Sequence, residues 1–253
     1  MQDLNEPAQW LAMAAVALAA LVHGTFGLGF PLVATPLLAL GTDVRGAVLL
    51  TLLPTITINL SLLLRGSLAG AQFGHHWRML PFVLLGAACG SALLLVLDPR
   101  PFLLLLAAAL LLYLNQERLG ERLELSWVHR RTKLAHALFG TAAGLMAGTV
   151  NVMVPVLIIL AMELRLSTPG MVQLFNLNFL AAKSIQLAIF SFSSAMTAQV
   201  IKSSLLLLPA ALLALLLGIR LRRHISEENY RGVLRGVLWS MAFILVGRFL
   251  LGG

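Results

Sequence analysis

His23-Gly24-Thr25-Phe26-Gly27-Leu28-Gly29-Phe30-Pro31-Leu32-Val33-Ala34-Thr35-Pro36 sits in the middle of an apolar run from Trp10 to Leu40. As one helix that run would be about 46 Å long, against a bilayer core of about 30 Å. The glycines and prolines fall where the excess length must be absorbed. Glycine weakens a helix, and proline removes a donor and clashes with the preceding turn. A second run, Leu134 to Met162, is nearly as long and carries Gly140, Gly144, Gly148-Thr149-Val150-Asn151 and Pro155. Gly29 stands seven residues before Pro36, and Gly148 seven before Pro155. Both runs read as helix–break–helix hairpins. Arms of about 10–14 residues reach only about 15–21 Å, which suits re-entry better than crossing.

The other apolar runs are 46–64, 79–97, 101–114, 169–192, 198–219 and 233–251. Most approach the roughly 20 residues that span a bilayer core. The chain of 253 residues is 59% hydrophobic and 11% charged, too little polar surface to cover a soluble domain. Its net charge of +8 is therefore read as topological, not as a nucleic-acid footprint. If all eight runs simply cross, nine basic residues face one side and eight the other. If the two long runs re-enter, thirteen face one side and Arg45, Arg100, Lys202 and Arg248 face the other. Only the second division gives the positive-inside bias.

The expected fold is an all-α polytopic membrane protein of two inverted repeats. Each repeat is a broken re-entrant hairpin plus three transmembrane helices. The first repeat covers 1–116, a cytoplasmic linker 117–133, and the second repeat 134–253. The termini then face outside. Met1 to Pro7 is acidic and lacks a basic leader, so the first apolar segment is expected in the mature protein. The single cysteine, Cys89, lies among small residues and excludes an intrachain disulfide.

Lys183 stands mid-run between Gly170 and Phe192, and no acidic residue lies at that depth. An unpaired ammonium there costs about 3 kcal/mol or more, so something must offset it. A mobile small anion is one answer; snorkelling or bonding to backbone carbonyls is the other. Gln173, Asn176, Lys183 and Gln186 share a helix face, with Asn178 about 160° from Asn176. In the first half Thr51, Thr55 and Asn59 share a face. Such stripes line a cavity or join helices. At the breaks, half-helix N-termini attract anions, Gly27, Gly29 and Gly148 admit a ligand close to the backbone, and Thr25, Thr149 and Asn151 add donors. Tight helix crossing is the competing use of those glycines. His23, beside the first break, is the candidate for proton coupling, or else a packed histidine. No metal or cofactor is expected.

The segments Gly24 to Pro36 and Gly144 to Pro155, opening two similar halves, resemble those of the sulfite exporter TauE/SafE family. The resemblance covers about residues 10–250. It implies movement of small sulfur-containing and organic anions such as sulfite and sulfonates, in a bacterial inner membrane. Family members often carry consecutive glycines here, whereas this chain alternates Gly27 and Gly29 and has Thr149-Val150-Asn151 after Gly148. The expected function is a secondary transporter, exporting a small anion by alternating access, as a monomer or homodimer in the lipid bilayer without a nucleic-acid partner. A channel or a lipid-handling protein is the alternative. An enzyme would need a nucleophile with its base, paired carboxylates or a metal cluster at membrane depth.

Overall fold

The computed structural model describes residues 6–27, 29–65, 76–116, 118, 125–222 and 227–251. Every element among them is helical. The first half contains α1 (Glu6–Phe26), α2 (Phe30–Gly41), α3 (Val44–Arg65), α4 (Leu80–Val96) and α5 (Pro101–Leu114). The second contains α6 (Thr132–Thr149), α7 (Val154–Glu163), α8 (Thr168–Phe192), α9 (Ala198–Leu221) and α10 (Glu227–Leu251). A 3-10 turn, His76–Met79, leads into α4, and one helical turn, Trp127–Arg130, precedes α6. Residues 119–124 of the expected linker, with Arg122, lie outside the described residues, as do Leu28 and Arg223.

Both long runs break, and they break by the same chemistry. Gly27 (φ 77°) ends α1 and Asn151 (φ 62°) follows α6, each in the left-handed region that glycine and asparagine tolerate. The next helix then begins with proline in its first turn, Pro31 in α2 and Pro155 in α7, where the missing N–H costs nothing. Helix ends therefore correct the register. Gly24-Thr25 matches Gly148-Thr149, Gly27 matches Asn151 and Pro31 matches Pro155, each pair 124 positions apart. Pro36, expected to mark the break, lies inside α2.

Arm lengths differ from expectation. The second arms are short, 12 residues in α2 and 10 in α7. The first arms are 21 residues in α1 and 18 in α6, because each break falls past the middle of its run and each helix starts before it. At 1.5 Å per residue, α1 is about 31 Å long. Among the described residues, six helices are long and apolar enough to cross a membrane: Pro7–Phe26, Val44–Leu64, Trp77–Val96, Thr168–Phe192, Ala198–Leu221 and Leu234–Leu251. The set includes α1 and omits α5, whose 14 residues fall short. With leucines such as Leu85, Leu213 and Leu217 exposed outward, this is a multi-pass membrane protein.

Packing exchanges the halves. α1 lies against α9 and α6 against α4; α3 meets α9, and α8 meets α4. α2 and α10, and likewise α7 and α5, complete the pattern. Glycines set the closest of these crossings. Gly86 and Gly90 on α4 face Gly144 and Gly148 on α6 so closely that a Cβ at Gly144 would lie 2.8 Å from Ala87 N. The same spacing of small residues lets Gly24 and Gly218 bring α1 onto α9.

Polar contacts sort the helix ends into two groups. At one end Arg45 donates to Leu94 O (2.8 Å) and Leu97 O (2.7 Å), and Arg100 to Phe249 O (3.3 Å). Arg248 donates to Ala39 O at the same end. At the other end His129 meets Glu163, 3.2 Å from its backbone carbonyl and 3.5 Å from Oε1. The start of α6 and the end of α7 are thus adjacent. Arg100 and Arg248 share an end, which eight simple crossings would separate.

The α4–α6 crossing generates a stability prediction. Gly144→Leu must push two backbones apart and should destabilise by about 1–3 kcal/mol or more. Gly236→Ala in α10, with nothing within 4 Å of the new Cβ, should be neutral or slightly stabilising. Thermal unfolding of the two purified variants in detergent separates these outcomes. Equal melting temperatures would refute the close-crossing account.

Candidate functional site

The first break is held by side chains from two helices. Phe30 N, the first N–H of α2, donates to His23 Nδ1 at 3.0 Å. An imidazole nitrogen that accepts carries no proton, so the neutral ring is protonated on Nε2. Gly27 N turns back to His23 O at 2.6 Å. From α8, Asn176 Nδ2 donates to Gly27 O (3.0 Å) and Val172 O (2.7 Å). Gly27 has no room for a side chain: a Cβ would lie 2.9 Å from both Val172 methyls. Gly29, also at positive φ (104°), has ordinary contact with Val22. Thr25 Oγ1 bonds Leu21 O (2.9 Å) in its own helix and reaches Gly218 O (3.4 Å) on α9.

The second break reaches into the first half. Asn151 Nδ2 donates to Thr35 Oγ1 on α2 (3.0 Å) and Thr51 Oγ1 on α3 (2.9 Å). Thr51 spends its own hydrogen on Ala47 O at 2.7 Å. Thr149 Oγ1 turns to Leu145 O (2.8 Å), the counterpart of Thr25 and Leu21. At Gly148 the side where a Cβ would stand faces α4, 2.8 Å from Ser91 N.

Lys183 is fully buried and lies against the end of α6. Nζ donates to Ala147 O (2.9 Å) and to Gln186 Oε1, while Gln186 Nε2 donates to Gly148 O (2.8 Å). The lysine and glutamine together cap carbonyls in the last turn of a half-helix, the end where the helix dipole favours a cation. One backbone carbonyl, Ala147 O, and one side-chain amide oxygen, Gln186 Oε1, are therefore its partners in this structure. An ammonium has three N–H groups and these contacts use two.

The donors of the first-half stripe turn to carbonyls of their own helix. Thr55 bonds Thr51 O (2.6 Å) and Asn59 Nδ2 bonds Thr55 O (2.7 Å). Asn59 occupies the position 124 residues before Lys183. On α8, Asn176, Lys183 and Gln186 are buried while Gln173 is half-buried. Asn178, on another face, is buried too and bonds Leu174 O at 2.7 Å.

A chemical asymmetry runs through the interior. Carbonyl oxygens only accept, so Asn59, Asn176 and Asn178 must turn their nitrogens to them. The same holds for Asn151, since Thr51 has already spent its hydrogen. The Oδ1 atoms of Asn59, Asn151 and Asn178 are buried without a hydrogen-bond partner. Among the described residues, no three side chains of His, Cys, Asp or Glu gather into a metal site. Sequence reasoning missed Thr35, a lone hydroxyl between Ala34 and Pro36, because its partner lies 116 residues away. Gly86 and Gly90, the small residues around Cys89, do pack helices together, bringing α4 onto α6.

Comparison with known proteins places this geometry in a family. The sequence profile described as sulfite exporter TauE/SafE matches residues 12–245. Comparisons with curated proteins and with solved structures find no match. The matched segment takes in both broken helices, both helix crossings and Lys183. The chain belongs to the sulfite exporter TauE/SafE family of membrane transporters.

Proposed function

We propose that the protein is a secondary transporter that exports small anions, sulfite or organosulfonates, across a bacterial inner membrane. The observation that carries this is Lys183, a fully buried ammonium without a carboxylate partner, seated on the end of a broken helix. Carbonyl dipoles relieve part of its desolvation but leave a full positive charge at membrane depth. A small oxyanion cancels that charge and takes the remaining N–H. It must also leave again, and several modest donors release a ligand more readily than a paired salt bridge. Asn176, Gln186, Asn151, Thr149, Thr51, Thr55, Asn59 and Thr25 border this interior, with the backbone at Gly27, Gly29 and Gly148.

The proposed architecture is two inverted repeats, 1–116 and 134–253, joined by a cytoplasmic linker, 117–133. The reciprocal pairings of α1 with α9 and α4 with α6 support a two-fold relation between halves. The contact of His129 with Glu163 supports re-entry of the α6–α7 hairpin. Access would alternate as one half moves against the other around the two breaks. An anion leaving a negative interior gains about 2.3 kcal/mol per charge per 100 mV, so export needs no coupling ion. His23 is the candidate if a proton is coupled. The working unit is a monomer or homodimer.

Two experiments test this reading. Calorimetry with purified protein should show saturable sulfite binding that Lys183→Ala weakens at least tenfold, about 1.4 kcal/mol. Unchanged binding in the variant would remove the lysine from the site. For topology, single cysteines in a Cys89→Ser background should react with an impermeant maleimide by side. Ser126→Cys and Glu163→Cys should label from one side and Asp98→Cys from the other. Labelling of positions 126 and 163 from opposite sides would defeat the re-entrant arrangement.

A further inference from the structure

We propose that two matched clasps close the two faces of this protein, Arg248 on the outer face and His129 on the inner. Their unequal strength leaves the inner mouth the easier to open, so the resting transporter faces the cytoplasm. This rests on the alternating-access and topology readings above and specifies how that access is biased. Ala39 and Glu163 stand 124 positions apart, in the last turns of α2 and α7, the short second arms of the two broken runs. Carbonyls in a last turn have no partner within their own helix. Arg248, near the end of α10, donates from Nη1 to Ala39 O. His129, in the turn before α6, has Nε2 3.2 Å from Glu163 O. A carbonyl only accepts, so that nitrogen carries the hydrogen. Each short arm is thus held at its C-terminus by a donor from outside its own hairpin.

The outer clasp is the stronger. A guanidinium is always charged, and the C-terminus of a helix favours a cation. Arg100 backs it from the next residue, donating to Phe249 O at 3.3 Å with its guanidinium 5.8 Å from the centre of the Phe249 ring. The inner clasp is a single imidazole nitrogen shared between Glu163 O and, at 3.5 Å, Glu163 Oε1. The His129 side chain is 56% exposed, and exposed pairs contribute little. The spaces beside the clasps agree with this order. A cleft of about 540 Å³ opens beside His129, Glu163 and Arg165, whereas the crevice beside Thr42, Arg100 and Arg248 holds about 130 Å³.

The test is the rate of maleimide labelling of single cysteines in the full-length Cys89→Ser protein, purified in detergent. Ala39→Cys and Ala161→Cys replace buried alanines near the ends of α2 and α7, so they react when the outer or the inner mouth opens. With both clasps intact, Ala161→Cys should label the faster. Arg248→Met should speed Ala39→Cys and slow Ala161→Cys, each by about threefold or more, the scale of a cation at a helix C-terminus. Arg248→Lys keeps a cationic donor and should keep the original order. His129→Phe should slow Ala39→Cys. If Arg248→Met speeds Ala39→Cys alone, the arginine is a local tie; if it speeds both, packing has merely loosened. Either result overturns the clasps, and so does faster labelling of Ala39→Cys before any clasp is broken. Anion binding stands or falls separately, on the sulfite calorimetry above.

Discussion

A helix broken inside an apolar interior bares backbone groups that no water can satisfy, and the polar contacts of this protein are organised around that constraint. Four of the bared groups are met by buried side chains. The first N–H of α2 goes to His23, and the carbonyl of Gly27 goes to Asn176. Carbonyls in the last turn of α6 go to Lys183 and Gln186. Remove the breaks, and these buried polar side chains have no reason to be there. The breaks in turn depend on two left-handed residues, Gly27 and Asn151, each followed by a proline in the next helix's first turn.

The two halves share this plan and differ in charge. At matched positions the first half has Asn59 and the second Lys183. Asn59 bonds within its own helix, whereas Lys183 reaches across to α6. Likewise the amide at the second break belongs to the break residue itself, Asn151, while the first break borrows its amide from Asn176. Of this matched pair only Lys183, in the second half, is a basic residue. Glycines bring the backbones of the two halves together where α4 meets α6 and α1 meets α9.

Much of this was legible in the chain. The apolar runs, the breaks in the two overlong ones, the odd depth of Lys183 and the family resemblance all follow from composition and spacing. The correct register between halves was partly hidden. Pro36 and Pro155 stand at matching distances from glycines, but a proline inside a helix and a proline at its start look alike in sequence. Arm lengths were misjudged because each break falls past the middle of its run and each helix starts before it. The contact of Gly148 with α4 was hidden too, since its neighbours there lie more than fifty residues earlier in the chain.

The sequence by itself determined the environment and the plan. A chain so apolar must be solvated by lipid, a run too long for the bilayer must break, and basic residues must favour one side. These are local or additive properties, and each can be read residue by residue. Only the tertiary structure decided the partners. Whether Lys183 meets carbonyls or a carboxylate, whether Asn151 reaches Thr35 and Thr51, and which amide atoms are left over depend on contacts between helices distant in sequence. Hydrogen bonds act over about 3 Å and demand direction, so side-chain partnership is fixed only once the helices are packed.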